Sequence, residues 1–249
     1  MKAYRLDNRY FKPKLNPNKE YFRPLKKIER EYTILEVHYS DFSEKEKNLF
    51  NIIYNYNIDY LEKLAPSQPE DIKNLNSFRY AFSRVAMLKL QEYYNNITVA
   101  VENGDESYFD IKININGDEY SVGSYMLPVK NGLGFALFAL DNRIETPYFH
   151  IRGAKYTTEK AEELEIEKDF YFMMLYDINE ISDPQEKFID NDEPVYIIGG
   201  LPGSLFNEHS YPTTYENKFD EDAAWEGTYQ TLPIDWIFDI DEIEEKILN

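Results

Sequence analysis

Apolar and polar residues along this chain repeat with two different periods, and the change from one to the other falls near residue 96. Upstream, the apolar positions recur at helical spacing. Leu49, Ile53, Tyr56, Tyr60 and Leu64 lie three or four residues apart and predict one helix over residues 44–64. Ser43-Glu44-Lys45-Glu46 reads as its capping box, in which the serine oxygen and the glutamate carboxylate satisfy two orphan amides reciprocally. Pro66 and Pro69 end it, since proline cannot supply the amide a continuing helix needs. Leu75, Phe78, Phe82 and Val85 place a second helix over residues 70–95.

Downstream the period is two. Ile97, Val99 and Val101 alternate with Thr98, Ala100 and Glu102; Phe109, Ile111, Ile113 and Ile115 alternate with Asp110, Lys112 and Asn114. Asn103-Gly104 and Asn116-Gly117 separate these runs and a third one at Tyr120 and Val122, and Asn-Gly is a strong hairpin signal. A strand is also expected at Tyr32–His38, with others at 134–140, 146–152, 169–177 and 194–199, and a short charged helix at 158–167. Gly199 to Pro233 is rich in turn-forming residues and predicts a long loop region with little regular structure; Ile234 to Asn249 predicts a strand-like piece and an acidic helical turn. The sum is an α+β fold: an antiparallel β-meander sheet of six or more strands covered by two N-terminal helices, with a loop-rich acidic C-terminal third. Residues 1–30 read as a basic aromatic arm packed on the body, and 31–249 as a single α+β domain.

Composition bears this out as core-forming material. The chain is 43% hydrophobic and 16% aromatic, which separates it from intrinsically disordered sequences of high net charge. It has no cysteine, so disulfides, thiolate zinc sites and cysteine nucleophiles are excluded. The first residues are charged and lack the apolar centre of a signal peptide, and the longest clean apolar run, Phe135 to Leu140, is too short for a membrane span. The expectation is a cytoplasmic protein with no membrane association. No cofactor or metal is expected, and oligomeric state is left open.

Charge changes the picture most. Residues 1–30 carry ten Lys/Arg against three Asp/Glu, whereas residues 150–249 carry seven against twenty-five, in a chain of net charge −19. Val195 to Ser204 runs into Gly199-Gly200 and Gly203, the composition of a phosphate cradle, but without the Walker lysine or dinucleotide-fold spacing; a strand-terminating turn is the plainer reading. Ser204, Glu208 and His209 supply the residue types of a hydrolase triad without the Gly-x-Ser-x-Gly elbow. Asp110-Ile111-Lys112 resembles part of a metal-dependent nuclease core, with Glu102 or Asp105 as the upstream acid, yet an acidic body would repel a polyanion, and a cross-strand ion pair suits the alternation better. Asp190-Asn191-Asp192-Glu193 lacks the glycine and spacing of a calcium loop and reads as a solvated acidic loop.

Asp220, Glu221, Asp222, Trp225 and Glu226 join a dense acid cluster to one of two tryptophans, the makings of an aromatic anchor ringed by charge. Asp239, Asp241 and Glu242 form a second, lesser group. The leading expectation is a non-catalytic acidic binding protein that uses these eight residues to neutralise or inhibit a basic protein partner, in the manner of an immunity protein or an inhibitor of a nucleic-acid enzyme. A hydrolase with its site in the 199–226 loops is the alternative, and a structural or assembly protein a second. The basic arm, where Arg5, Arg9, Lys12 and Lys14 interleave with Tyr4, Tyr10 and Phe11, could grip nucleic acid. Neutralising the chain's own acidic half is favoured instead, and nucleic acid is not expected as a partner.

Overall fold

The structure, a computed structural model, describes residues 2–7, 31–103, 109–129, 148–152, 168–177, 183–209, 211–215, 227–233 and 237–248. Its two long helices begin where the sequence signals them. Ser43 caps α1 (Glu44–Leu64): its Oγ accepts from the Glu46 amide, and the Glu46 carboxylate accepts from the Ser43 amide at 2.7 Å. Ser43→Ala is expected to cost about 1 kcal/mol, seen as a lower denaturant midpoint at unchanged slope, whereas Ser43→Gly costs a few tenths. Ile53 of the face read from the sequence is fully buried and Leu49 and Tyr56 pack against the core, but the buried centre, Phe50, Ile53 and Asn57, lies part of a turn round from it, and Leu64 stands 50% exposed. One residue of this buried centre is polar. Asn57 donates to Ser77 Oγ at 3.1 Å, so a buried amide holds α1 to α2 (Glu70–Met87).

The second helix is shorter than predicted, ending at Met87 and followed by one turn, α3 (Leu90–Tyr93). The amides of Leu88 and Lys89 bond back three residues, to Val85 and Ala86, tightening the chain at this point. Lys89 is thereby buried, 2% exposed, between Glu46 at 2.9 Å and Glu92 at 2.7 Å. Burial alone would lower its pKa, but its bonds to Glu92 and Glu46 outweigh that and raise it.

The described residues form two sheets. The larger has the order β1 (Lys2–Asp7), β2 (Glu31–Val37), β8 (Val195–Pro202), β7 (Phe170–Asp177), β5 (Asp118–Val129), β4 (Phe109–Ile115) and β3 (Ile97–Asn103). The smaller has the order β6 (Tyr148–Arg152), β10 (Gly227–Pro233) and β9 (Tyr211–Tyr215). The fold is therefore α+β, and β3-β4-β5 is the predicted meander. Asn116 and Gly117 take φ of 55° and 100°, the left-handed pair a tight hairpin turn demands. Every pairing in the large sheet is antiparallel except β5 with β7, which is parallel. The predicted strand at 134–140 and helix at 158–167 lie outside the described residues, as does the arm from residue 8 to 30.

Helices α1 and α2 cover one face of this sheet. Ser124 Oγ donates to the Ser83 carbonyl, and the Nε atoms of Arg79 and Arg84 donate to the carbonyls of Met126 and Phe109, each at 2.8 Å. Between the layers Phe78 lies against Phe50, Phe82 and Phe188, with ring centroids 5.5, 5.4 and 4.8 Å apart. Ile34, Met173, Leu175 and Ile198 are buried as well, and alternation puts them on the opposite face. There Phe206 of α4 (Gly203–His209) meets Tyr171 at 5.1 Å. Burial on both sides explains why β7 reads as an almost unbroken apolar run.

The segment from Gly199 onward differs from its predicted loop. Its described residues form the end of β8, then α4, β9 and β10. Gly199 and Gly200 lie inside β8, at a register shift that pairs Met173 with Gly199 and Met174 with Ile197. The turn reading fails because these glycines serve close approach: a Cβ at Gly199 would sit 2.0 Å from the Phe238 carbonyl oxygen. Gly200 and Phe238 exchange both backbone hydrogen bonds, at 2.9 and 2.8 Å.

Candidate partner-binding surface

That bridge delivers the C-terminal carboxylates to their places. Asp239 caps α5 (Ile240–Ile243): its Oδ1 accepts from the Glu242 amide at 2.9 Å, and Glu242 Oε2 accepts from the Asp239 amide at 3.1 Å. The other Asp239 oxygen accepts from the Thr33 amide of β2 at 3.1 Å. At 4% exposure this carboxylate is buried yet fully bonded, as a buried charge must be. Asp241 accepts from the hydroxyls of Thr33, at 2.7 Å, and Tyr93, at 3.0 Å. Burial and then the bond to Asp241 push the Tyr93 hydroxyl up to about 12, so it remains a donor. Tyr94 donates its hydroxyl to the Ile240 carbonyl at 2.5 Å, and Glu242 Oε1 pairs with Lys246 at 3.0 Å.

Asp239, Asp241 and Glu242 are thus brought together, and each is committed to bonds within the chain. The local sequence signal for this arrangement is Asp239-x-x-Glu242 before Ile243, a capping box of the same type as Ser43 to Glu46. Thr33 and Tyr93, their partners from far upstream, carried no local signal. The first group, Asp220, Glu221, Asp222, Trp225 and Glu226, lies outside the described residues, and so does Trp236.

The other candidates fall into place around this frame. The Gly200 amide is taken by Phe238 and that of Gly203 by the Asp169 carbonyl, so two donors of the supposed phosphate cradle are spent on backbone. Ser204, Glu208 and His209 all fall on α4, with Ser204 exposed in its first turn. Positions 204 and 209 are about 140° apart round the helix axis, which does not by itself bring serine and histidine together. Lys112 pairs with Glu119 at 2.8 Å and Glu102 at 3.3 Å, bridging three strands, while Asp110 pairs with Lys168 at 3.0 Å. The cross-strand ion-pair reading holds on this face, with Asp110 and Lys112 taking separate partners. Asp190 and Asn191 are exposed as a solvated loop requires, and Asp192, itself part-exposed, accepts from both the amide and the hydroxyl of Ser40. Among the described residues no group of three or more His, Asp or Glu side chains is gathered as a metal ion would need, and no helix is long and apolar enough to cross a membrane.

No family model, characterised protein or solved structure matches this chain.

Proposed function

We propose that the protein is a non-catalytic binding protein that engages a basic protein partner through acidic C-terminal residues. The observation that supports it is the segregation of charge: seven Lys/Arg against twenty-five Asp/Glu over residues 150–249, in a chain whose first 30 residues are basic. Such a field speeds encounter with a positive surface and orients the approach, while a buried aromatic slows dissociation. Neutralising or inhibiting the partner is the role this reading assigns. Asp239, Asp241 and Glu242 already have internal partners, so the greater share of binding falls to Asp220, Glu221, Asp222, Trp225 and Glu226.

The test uses the full chain as bait in an extract of the native host. A basic protein should be retained at about 0.05 M salt and lost near 0.5 M, since the screening length falls from above 10 Å to a few ångströms. With that protein purified, the triple variant Asp220→Asn, Glu221→Gln, Asp222→Asn should lower the association rate by about tenfold or more, and Trp225→Ala should mainly speed dissociation. Binding that ignores both salt and charge neutralisation would overturn the proposal. So would failure to retain any basic protein.

A further inference from the structure

His38 closes β2 and sits half-buried, where three chain segments meet. Its Nε2 lies 2.9 Å from Glu36 Oε1, and its Nδ1 lies 2.7 Å from the main-chain carbonyl of Asp192. The Asp192 carboxylate stands 3.6 Å from Nδ1 and accepts from the Ser40 amide and hydroxyl at 2.9 and 2.6 Å. Asp41 accepts from the His38 amide at 2.8 Å. Asp192 itself has a φ of 54°, a conformation uncommon outside glycine, so the turn is held in a shape its own backbone does not favour.

A backbone carbonyl can only accept, and so can an ionised carboxylate. Neutral imidazole owns one N–H and can serve Glu36 or Asp192, with its bare nitrogen then facing an oxygen lone pair. Only the imidazolium donates to both. We propose that His38 is a proton-operated latch: its imidazolium clasps the end of β2 to the 190–193 segment, and loss of one proton opens that clasp.

The charges around the ring agree in sign. Glu36 faces it from β2 and Asp192 from the segment before β8, while Asp41, in the turn that follows, holds the main-chain amide. Glu193 is drawn off to Lys187 at 2.8 Å, and register sets Lys2 of β1 across from Glu36. Burial alone would lower the pKa of His38, but the bonds to Glu36 and Asp192 and the charges of both outweigh it, and the net direction is upward. A histidine raised in the folded state stabilises fully below its unfolded value, about 6.5, and that contribution is lost as pH rises through the folded value. The latch is therefore shut in mild acid and opens on the alkaline side. It stands independently of the partner proposal.

The experiment follows the imidazole C2 protons of the full chain by NMR, with His38 identified among three histidines by its absence in His38→Gln. Its inflection should lie above about 6.5, and Glu36→Gln, which keeps an acceptor but removes the charge, should move it down. Amide exchange at Ser40 supplies the structural readout. Between about pH 6 and about pH 9 its protection factor should fall roughly threefold or more in the native chain and stay level in His38→Gln. An inflection at or below about 6.5, or one unmoved by Glu36→Gln, would overturn the latch, as would an equal loss of Ser40 protection in His38→Gln.

Discussion

Gly199→Ala should lower stability by about 3–5 kcal/mol, a large fraction of what a domain this size possesses. The new Cβ would stand 2.0 Å from the Phe238 oxygen, a main-chain atom that no side-chain rotation can move aside. The backbone at Gly199 also has a φ of +151°, which L-residues rarely adopt. Relief requires opening the Gly200–Phe238 bridge, and with it go two backbone hydrogen bonds of about 1 kcal/mol each. The damage then spreads, because Phe238 leads into Asp239, Ile240 and Asp241, which bond Thr33, Tyr94 and Tyr93 respectively. Gly117→Ala is the control: its φ is +100°, but the space around it is open, so the cost should be about 1 kcal/mol. Denaturant midpoints for the pair test this directly. Equal effects would mean that close approach to Phe238 is not what Gly199 provides.

The second large effect is expected from Phe78→Ala, at about 3–5 kcal/mol. Phe78 is 1% exposed and lies where rings from α1, α2 and the helical segment Gln185–Asp190 converge, so truncation leaves a cavity walled by Phe50, Phe82 and Phe188. These neighbours are fixed by different elements and cannot all collapse into the space. A melting temperature lower by roughly 10 °C corresponds to that loss in a chain of this length. Phe78→Leu, which keeps most of the volume, should cost less than about 1.5 kcal/mol. If alanine proved no worse than leucine, the aromatic junction would not be a site of tight packing.

What the sequence disclosed follows the range of the interactions. Ser43 and Glu46 are three residues apart, so the start of α1 was legible; so was the Asn116-Gly117 hairpin, whose signal is confined to the turn itself. The buried centre of α1 was not, because it includes Asn57, which bonds Ser77 on another helix, and a polar residue in an apolar stripe reads as surface. The glycines of β8 were misplaced for a related reason. Glycine marks both turns and close approach, and only the position of Phe238 distinguishes them. At the candidate surface, the Asp239 cap could have been read locally, but the bonds of Asp239 to Thr33 and of Asp241 to Tyr93 join distant stretches of chain. The charge segregation was visible at once, and it remains the main support for the proposed partner.

The reach of those bonds bears on how the molecule is made. Thr33 and Asp239 are 206 residues apart, and β2 pairs with β8 through Leu35 and Ile197. At ribosomal rates the interval between synthesis of the two ends is roughly 10–40 s. The meander β3-β4-β5 and the helical hairpin need only their own neighbours and can form early in that interval. Until β8 is made, β2 lacks the strand that pairs with Leu35 and Val37, leaving apolar backbone open to unwanted pairing with other nascent chains. Slowing elongation after residue 130 should therefore lengthen exposure of that strand and increase the newly made protein's dependence on chaperones.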